Sequence, residues 1–163
     1  MRCRYAYGLA SALMAALLWA APAQAGVVVN FAGRTLNPDG KLRDAWVAHE
    51  IKADLNRLGA RYLDSRDRLR ITILDIDRAG FDMSSRGPSR IRVLNGATWP
   101  KIRLRYRLER NHKIVAAGEE MLSDQYYLAH PGAGLSTDAL RYEKAMLADW
   151  FREKFGAGQT SGR

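Results

Sequence analysis

Hydrophobic and polar positions along the chain change period several times, and each change marks an element. "VVVNFA" (Val27–Ala32) is rich in β-branched residues and predicts a first strand. "NPDG" (Asn37–Gly40) has turn chemistry. From Leu42 to Leu58 the spacing becomes helical, with Val47, Ile51, Leu55 and Leu58 on one stripe and Gly59 as a C-terminal stop. "LRITILDID" (Leu69–Asp77) predicts a second strand, which a helix joins to the first. A strand–helix–strand order suits a crossover between parallel neighbours.

A Gly-, Pro- and Ser-containing loop, "DMSSRGPSR", comes before "RIRVL" (Arg90–Leu94), which alternates and is followed by the turn signal "NG". "KIRLRYRLE" (Lys101–Glu109) alternates more strictly, and "RNH" can turn it into "KIVAAGEEML" (Lys113–Leu122) as a hairpin. "STDALRYEKAMLADWFREKF" (Ser136–Phe155) predicts a closing amphipathic helix, with Leu140, Leu147, Phe151 and Phe155 on its stripe, Met146 and Trp150 widening it, and Gly156 as its stop. The expected fold class is α+β, in the order β-α-β-β-β-β-α. It is expected as a single mostly antiparallel, twisted sheet of about five strands with two helices on one face, leaving the other face wet.

Alternation also sorts the charges. Ile102, Leu104, Tyr106 and Leu108 share one face of their strand, and Arg103, Arg105 and Arg107 share the other. In the same way Ile91 and Val93 leave Arg90 and Arg92 opposite. If these strands are neighbours, five arginines lie on one sheet surface. Nine Lys/Arg and one acid, Glu109, fall between Arg86 and Lys113. Arginine forks suit phosphates and carboxylates, whereas the plain alternative is a solvated face whose arginine stems cover apolar surface. Like charges directly opposite each other in a sheet are destabilising, so a ligand or internal carboxylates should offset them.

Asp75 and Asp77 are the candidate partners, and also the candidate metal or acid–base residues. If Leu74 and Ile76 point into the core, both aspartates join the arginine face. If Ile71 and Ile73 set the core face, both sit at a buried edge and need a cation or strong donors. Hard cations take six or more oxygens, and His49, His112 and His130 lack metal-ligand spacing. No nucleophile elbow, Walker loop or dinucleotide fingerprint is present, and no cofactor is expected. A metal-assisted hydrolase built on Asp75 and Asp77 is the alternative to a non-enzymatic binding domain. A structural accessory subunit, meeting its partner through a helix or the loop Asp82–Pro100, is a third reading. Of Trp46, Trp99 and Trp150, Trp150 belongs to the helical stripe and Trp99 is expected to be the exposed one. Tyr126 and Tyr127 are expected to pack as a lid.

The N-terminus sets the compartment. Arg2 and Arg4 precede the apolar run Leu9–Ala21, and Ala23 and Ala25 stand in the spacing a signal peptidase accepts. Residues 1–25 are read as a cleaved signal peptide, 26–155 as one domain and 156–163 as a disordered tail. Cys3 leaves with the signal, so the mature chain has no disulfide or thiolate chemistry. The chain has 26 Lys+Arg and 17 Asp+Glu; without Arg2 and Arg4 the balance is 24 to 17. A basic periplasmic domain favours anionic partners: lipopolysaccharide, anionic lipid or acidic wall polymers, with an envelope protein as the other expected partner, rather than nucleic acid.

Four stretches, "DIDRAG", "WPKIRLRYRL", "AAGEEMLSDQYY" and "LRYEKAMLADWFREKF", resemble the bacterial domain of unknown function 3016 family. Its members show a D-x-D-L-A-G strand end, a proline-led alternating strand, G-x-E-x-L-x-D-x-x-Y and a closing Y-E-K-x-M-L-x-D-W-F helix. These map onto Asp75–Gly80, Pro100–Leu108, Gly118–Tyr127 and Tyr142–Phe151. Arg78 stands where the family usually has leucine, and Trp99 where a second proline is common. The resemblance implies a secreted or periplasmic protein and supplies no catalytic residues. More loosely, the layout is similar to that of small accessory subunits of outer-membrane assemblies.

Overall fold

The computed structural model describes residues 26–35, 43–84 and 90–156, with the side chains of 82–84 and 90–91 excepted. Residues 1–25, expected as a signal peptide, residues 157–163 of the expected tail 156–163, the turn Asn37–Gly40 and the side chain of Arg90 therefore lie outside the described residues. The strands are β1 (Gly26–Phe31), β2 (Asp67–Asp77), β3 (Phe81–Ser84), β4 (Arg90–Val93), β5 (Lys101–Arg110) and β6 (Lys113–Ser123). The helices are α1 (Ala45–Tyr62) and α2 (Arg141–Phe155), with short 3-10 turns at Gly33–Thr35, Tyr127–Ala129 and Ala133–Leu135.

The α+β class and the element order follow the hydrophobic pattern, with the short β3 added. The main sheet is mixed and runs β1-β2-β5-β6; β1 and β2 are parallel, and the other two pairings are antiparallel. Both helices cover one face. Val47, Ile51, Leu55 and Leu58 of α1 and Met146, Leu147, Trp150, Phe151 and Phe155 of α2 pack on Leu69, Ile71, Ile73, Ile102, Leu104 and Leu108. Lys144 ties the helices together, bonding Glu50 of α1 at 2.8 Å and Asp138 at 2.5 Å. Glu120 points toward this covered side from β6, where Trp150 Nε1 and Lys154 Nζ each reach it at 2.9 Å.

β4 departs from the expected single sheet. It pairs with β3 alone and forms a separate two-stranded ribbon. Asn95–Gly96 is therefore not a two-residue hairpin. Asn95 Oδ1 accepts from the backbone of Ala97 and Thr98, each at 3.1 Å, and spends its turn chemistry locally. The expected hairpin at "RNH" does form, with Asn111 and His112 both at positive φ.

Gly59 does not stop α1, which continues to Tyr62. A Cβ at Gly59 would lie 2.0 Å from Val27 Cγ2, so the glycine serves close helix–strand approach. Asp44 caps α1 by accepting from Val47 N at 3.0 Å. α2 starts only at Arg141, because Asp138 Oδ1 takes Leu140 N at 2.7 Å and holds a turn there. Gly156 ends α2 as expected.

A second, smaller core joins the ribbon to the main body. Ala79, Tyr127, Ala133 and Tyr142 are buried together, and the two tyrosine rings meet edge to face at 4.7 Å. Tyr127 packs inside as a lid residue, whereas Tyr126 is 83% exposed. Trp46 is the exposed tryptophan; Trp99 lies half-buried against Lys101 and donates to Ser123 Oγ at 2.9 Å.

The loop before α2 is pinned by His130, whose Nε2 lies 2.9 Å from Asp149 Oδ2. The bond to Asp149 raises the imidazole pKa above 6.5. A folded-state pKa above the unfolded value gives stabilisation that is full below the unfolded pKa and is lost as pH rises through the folded one. Thermal melts should therefore show a decline in melting temperature from about pH 6.5 upward. That component should be missing in His130→Gln.

Candidate anion-binding face

The uncovered face of the main sheet gathers side chains from every strand. Along β2, Leu69, Ile71 and Ile73 enter the core, leaving Arg68, Arg70 and Thr72 outside. A regular strand would then turn Asp75 and Asp77 inward. A bulge prevents this: the β2–β5 register slips between Ile73 and Asp75, so Leu74 has no partner of its own. Ile76 returns to the core side opposite Ile102, and Asp75 and Asp77 lie outward opposite Arg103 and Lys101. Both sequence alternatives are thus partly met, since Ile71, Ile73 and Ile76 all face inward. The turn at Gly33 backs the bulge; its φ is +62°, and a Cβ there would lie 2.8 Å from Leu74 O.

The outward rows can be read across the sheet. Val28 stands beside Arg70, Arg70 beside Arg107, and Arg107 beside Ala117. Thr72 stands beside Arg105, and Arg105 beside Glu119. Arg68 is opposite Glu109. Of the arginines expected on this surface, Arg103, Arg105 and Arg107 are here. Arg92 is not, because its strand belongs to the ribbon, and the side chain of Arg90, on the same strand, lies outside the described residues. Arg68 and Arg70 take their place. Their alternation with Leu69 and Ile71 was the available signal, blurred by the apolar Leu74 on the same side.

Arg92 has a different task. Its side chain is 15% exposed and bonds the carbonyls of Ala79 at 2.6 Å and Ala139 at 2.7 Å, and Glu143 Oε1 at 2.5 Å. Glu143 is fully buried and also accepts from Ala79 N at 3.1 Å. This cluster bolts α2 to the end of β2 and to the ribbon. Gly80 belongs to the same corner, at φ +79°, where a Cβ would lie 2.2 Å from Val93 O.

Charge on the sheet face is unevenly offset. Near the bulge, Asp77 pairs with Lys101 at 3.6 Å, Asp75 with Arg34 at 3.5 Å and Glu119 with Arg105 at 2.8 Å. Arg103 is half-buried there with no partner for its Nε. Among these named side chains, four cations stand with three carboxylates. Arg110, from the same basic stretch, is held in a two-bond fork by buried Asp67 at 2.7 and 3.0 Å.

At the other end stand Arg68, Arg70 and Arg107 with one carboxylate among the described residues lining the face there, Glu109, which lies 2.9 Å from Arg107. Arg68 and Arg70 have no ion pair among the described residues, and Arg70 directly faces Arg107. A depression of about 350 Å³ opens there, lined by Gly26, Val28, Arg68, Arg70, Arg107 and Glu109. Guanidinium forks around such a hollow can bind an anion. Among the described residues no group of three or more His, Cys, Asp or Glu is placed to hold a metal. No described helix is long and apolar enough to cross a membrane.

These features define a two-layer α+β domain with an open, basic sheet face. The chain belongs to the family described as protein of unknown function (DUF3016), whose model matches residues 31–153. No curated protein matches it.

Proposed function

We propose that this is a non-enzymatic periplasmic domain whose open sheet face binds an anionic component of the bacterial envelope. The observation that carries this reading is the unbalanced end of the face, where Arg70 and Arg107 stand directly opposite and Glu109 is the one carboxylate among the described residues lining the depression. Such an arrangement is destabilising in isolation and is relieved by an anion. The basic balance of the chain and its signal-like N-terminus support an anionic partner in that compartment.

The test is co-sedimentation of the mature protein with vesicles carrying anionic lipid or lipopolysaccharide, against zwitterionic vesicles, over a salt series. Binding to the anionic vesicles alone, falling steeply as salt shortens the Debye length, is expected. Equal binding to both kinds, or none, would overturn the reading. In the latter case an acidic partner protein recovered by cross-linking from the envelope would take the place of lipid.

A further inference from the structure

The depression on the sheet face has a composition that narrows the ligand. It offers three guanidinium forks, from Arg68, Arg70 and Arg107, and one carboxylate, Glu109, already engaged by Arg107. The local excess among these side chains is two positive charges. One arginine fork satisfies the two oxygens of a carboxylate, and a phosphodiester carries a single charge. A phosphate monoester offers three terminal oxygens and up to two negative charges, since its second proton leaves near pH 6. Three forks and an excess of two charges match that group in number and in charge.

Among the described residues the approach is open. Gly26 has no atom within 4 Å of where a side chain would begin, and Val28, beside Arg70, is 51% exposed. The ligand's phosphate can enter over the β1 edge, with an apolar surface next to it for the carbon to which the phosphate is attached.

We infer that the depression formed by Arg68, Arg70 and Arg107 is a subsite for a terminal phosphate monoester. This rests on the anion-binding reading of the face and sharpens it. Two sources share the chemistry, a lipid headgroup such as phosphatidic acid and a small soluble phosphate.

The groups facing the subsite are Arg68 and Arg70 of β2, Arg107 and Glu109 of β5, Val28 of β1, and Gly26, which carries the α-amino group of the mature chain when the signal is cleaved after Ala25. No histidine is among them. The α-amino group loses charge as pH rises, which weakens anion binding, so a rise in binding across the second phosphate ionisation follows the ligand's proton.

The experiment compares phosphatidic acid vesicles with phosphatidylglycerol vesicles matched for surface charge, from about pH 5 to about pH 8, the range spanning that ionisation. Binding to phosphatidic acid should exceed binding to phosphatidylglycerol and rise about tenfold over this range, as one more charge-assisted contact forms. Arg70→Ala should remove the preference, while its melting temperature stays level or rises through relief of the Arg70–Arg107 repulsion. Arg105→Ala, whose guanidinium already pairs with Glu119, should keep the preference. Displacement by inorganic phosphate would identify the soluble source, and resistance to it the lipid headgroup; either supports the monoester.

Equal binding to both vesicle types with no pH response would overturn the monoester subsite and leave the anionic face standing. No binding to either would overturn both. Retention of the preference in Arg70→Ala would place the subsite elsewhere and contradict the inference.

Discussion

Replacing Arg92 with leucine is expected to cost about 3–5 kcal/mol of folding stability, because it strands a carboxylate in the interior. Glu143 is fully buried, and without Arg92 its remaining donor is Ala79 N, 3.1 Å away; its Oε2 has none even now. The reciprocal change should be milder. Without Glu143, Arg92 keeps the carbonyls of Ala79 and Ala139. Arg92→Leu/Glu143→Leu should be more stable than Arg92→Leu alone, since no orphaned charge remains. Urea denaturation of the three variants checks this order. Strict additivity of the two losses would show that the pair is not the physical unit described here.

Phe151→Ala should be comparably severe for a different reason. Phe151 is fully buried where the helices meet the sheet, with ring centroids 5.0 Å from Phe155, 5.4 Å from Trp150 and 6.2 Å from Tyr62. Truncation leaves a cavity among stiff aromatic rings that cannot close around it. A loss of about 3–5 kcal/mol is expected. The outward arginines lie on the other side of the sheet, so anion binding well below the melting temperature should persist in this variant. Loss of less than about 1 kcal/mol in urea would mean that the aromatic cluster repacks and is not the centre of the core.

Both positions show what a linear pattern can disclose. Phe151 stands at helical spacing with Leu147 and Phe155, and its burial is legible before any folding is considered. The Arg103, Arg105 and Arg107 alternation is equally legible, as is the β5–β6 hairpin. Arg92 alternates in the same way, yet it is drawn to a glutamate 51 positions later, on the closing helix. Strand alternation assigns a face within a strand and says nothing about which sheet the strand joins.

The D-x-D segment is unreadable for another reason. A bulge at Leu74 inserts one residue and shifts the period, so a strict two-residue repeat cannot place Asp75 and Asp77. The same insertion hides the continuity between Arg68, Arg70 and the arginines of β5. Gly59 is a similar case. A glycine near a helix end reads as a stop, but the pressure on it comes from Val27, on a strand 32 residues earlier. Local signals are reliable where local physics decides. They fail where a distant partner sets the requirement.

On the proposed reading, anion binding belongs to the unbalanced end of the sheet face rather than to basic charge in general. The most direct test compares two variants with equal loss of charge, Arg68→Ala/Arg70→Ala and Lys101→Ala/Arg105→Ala, in co-sedimentation with anionic vesicles at one fixed salt concentration. The first removes guanidiniums without ion pairs among the described residues, and the second removes cations already paired with Asp77 and Glu119. A loss of about tenfold or more is expected for the first, and less than about threefold for the second, whose charges are already offset by their pairs. Equal losses in the two variants, or a greater loss in the second, would contradict that reading.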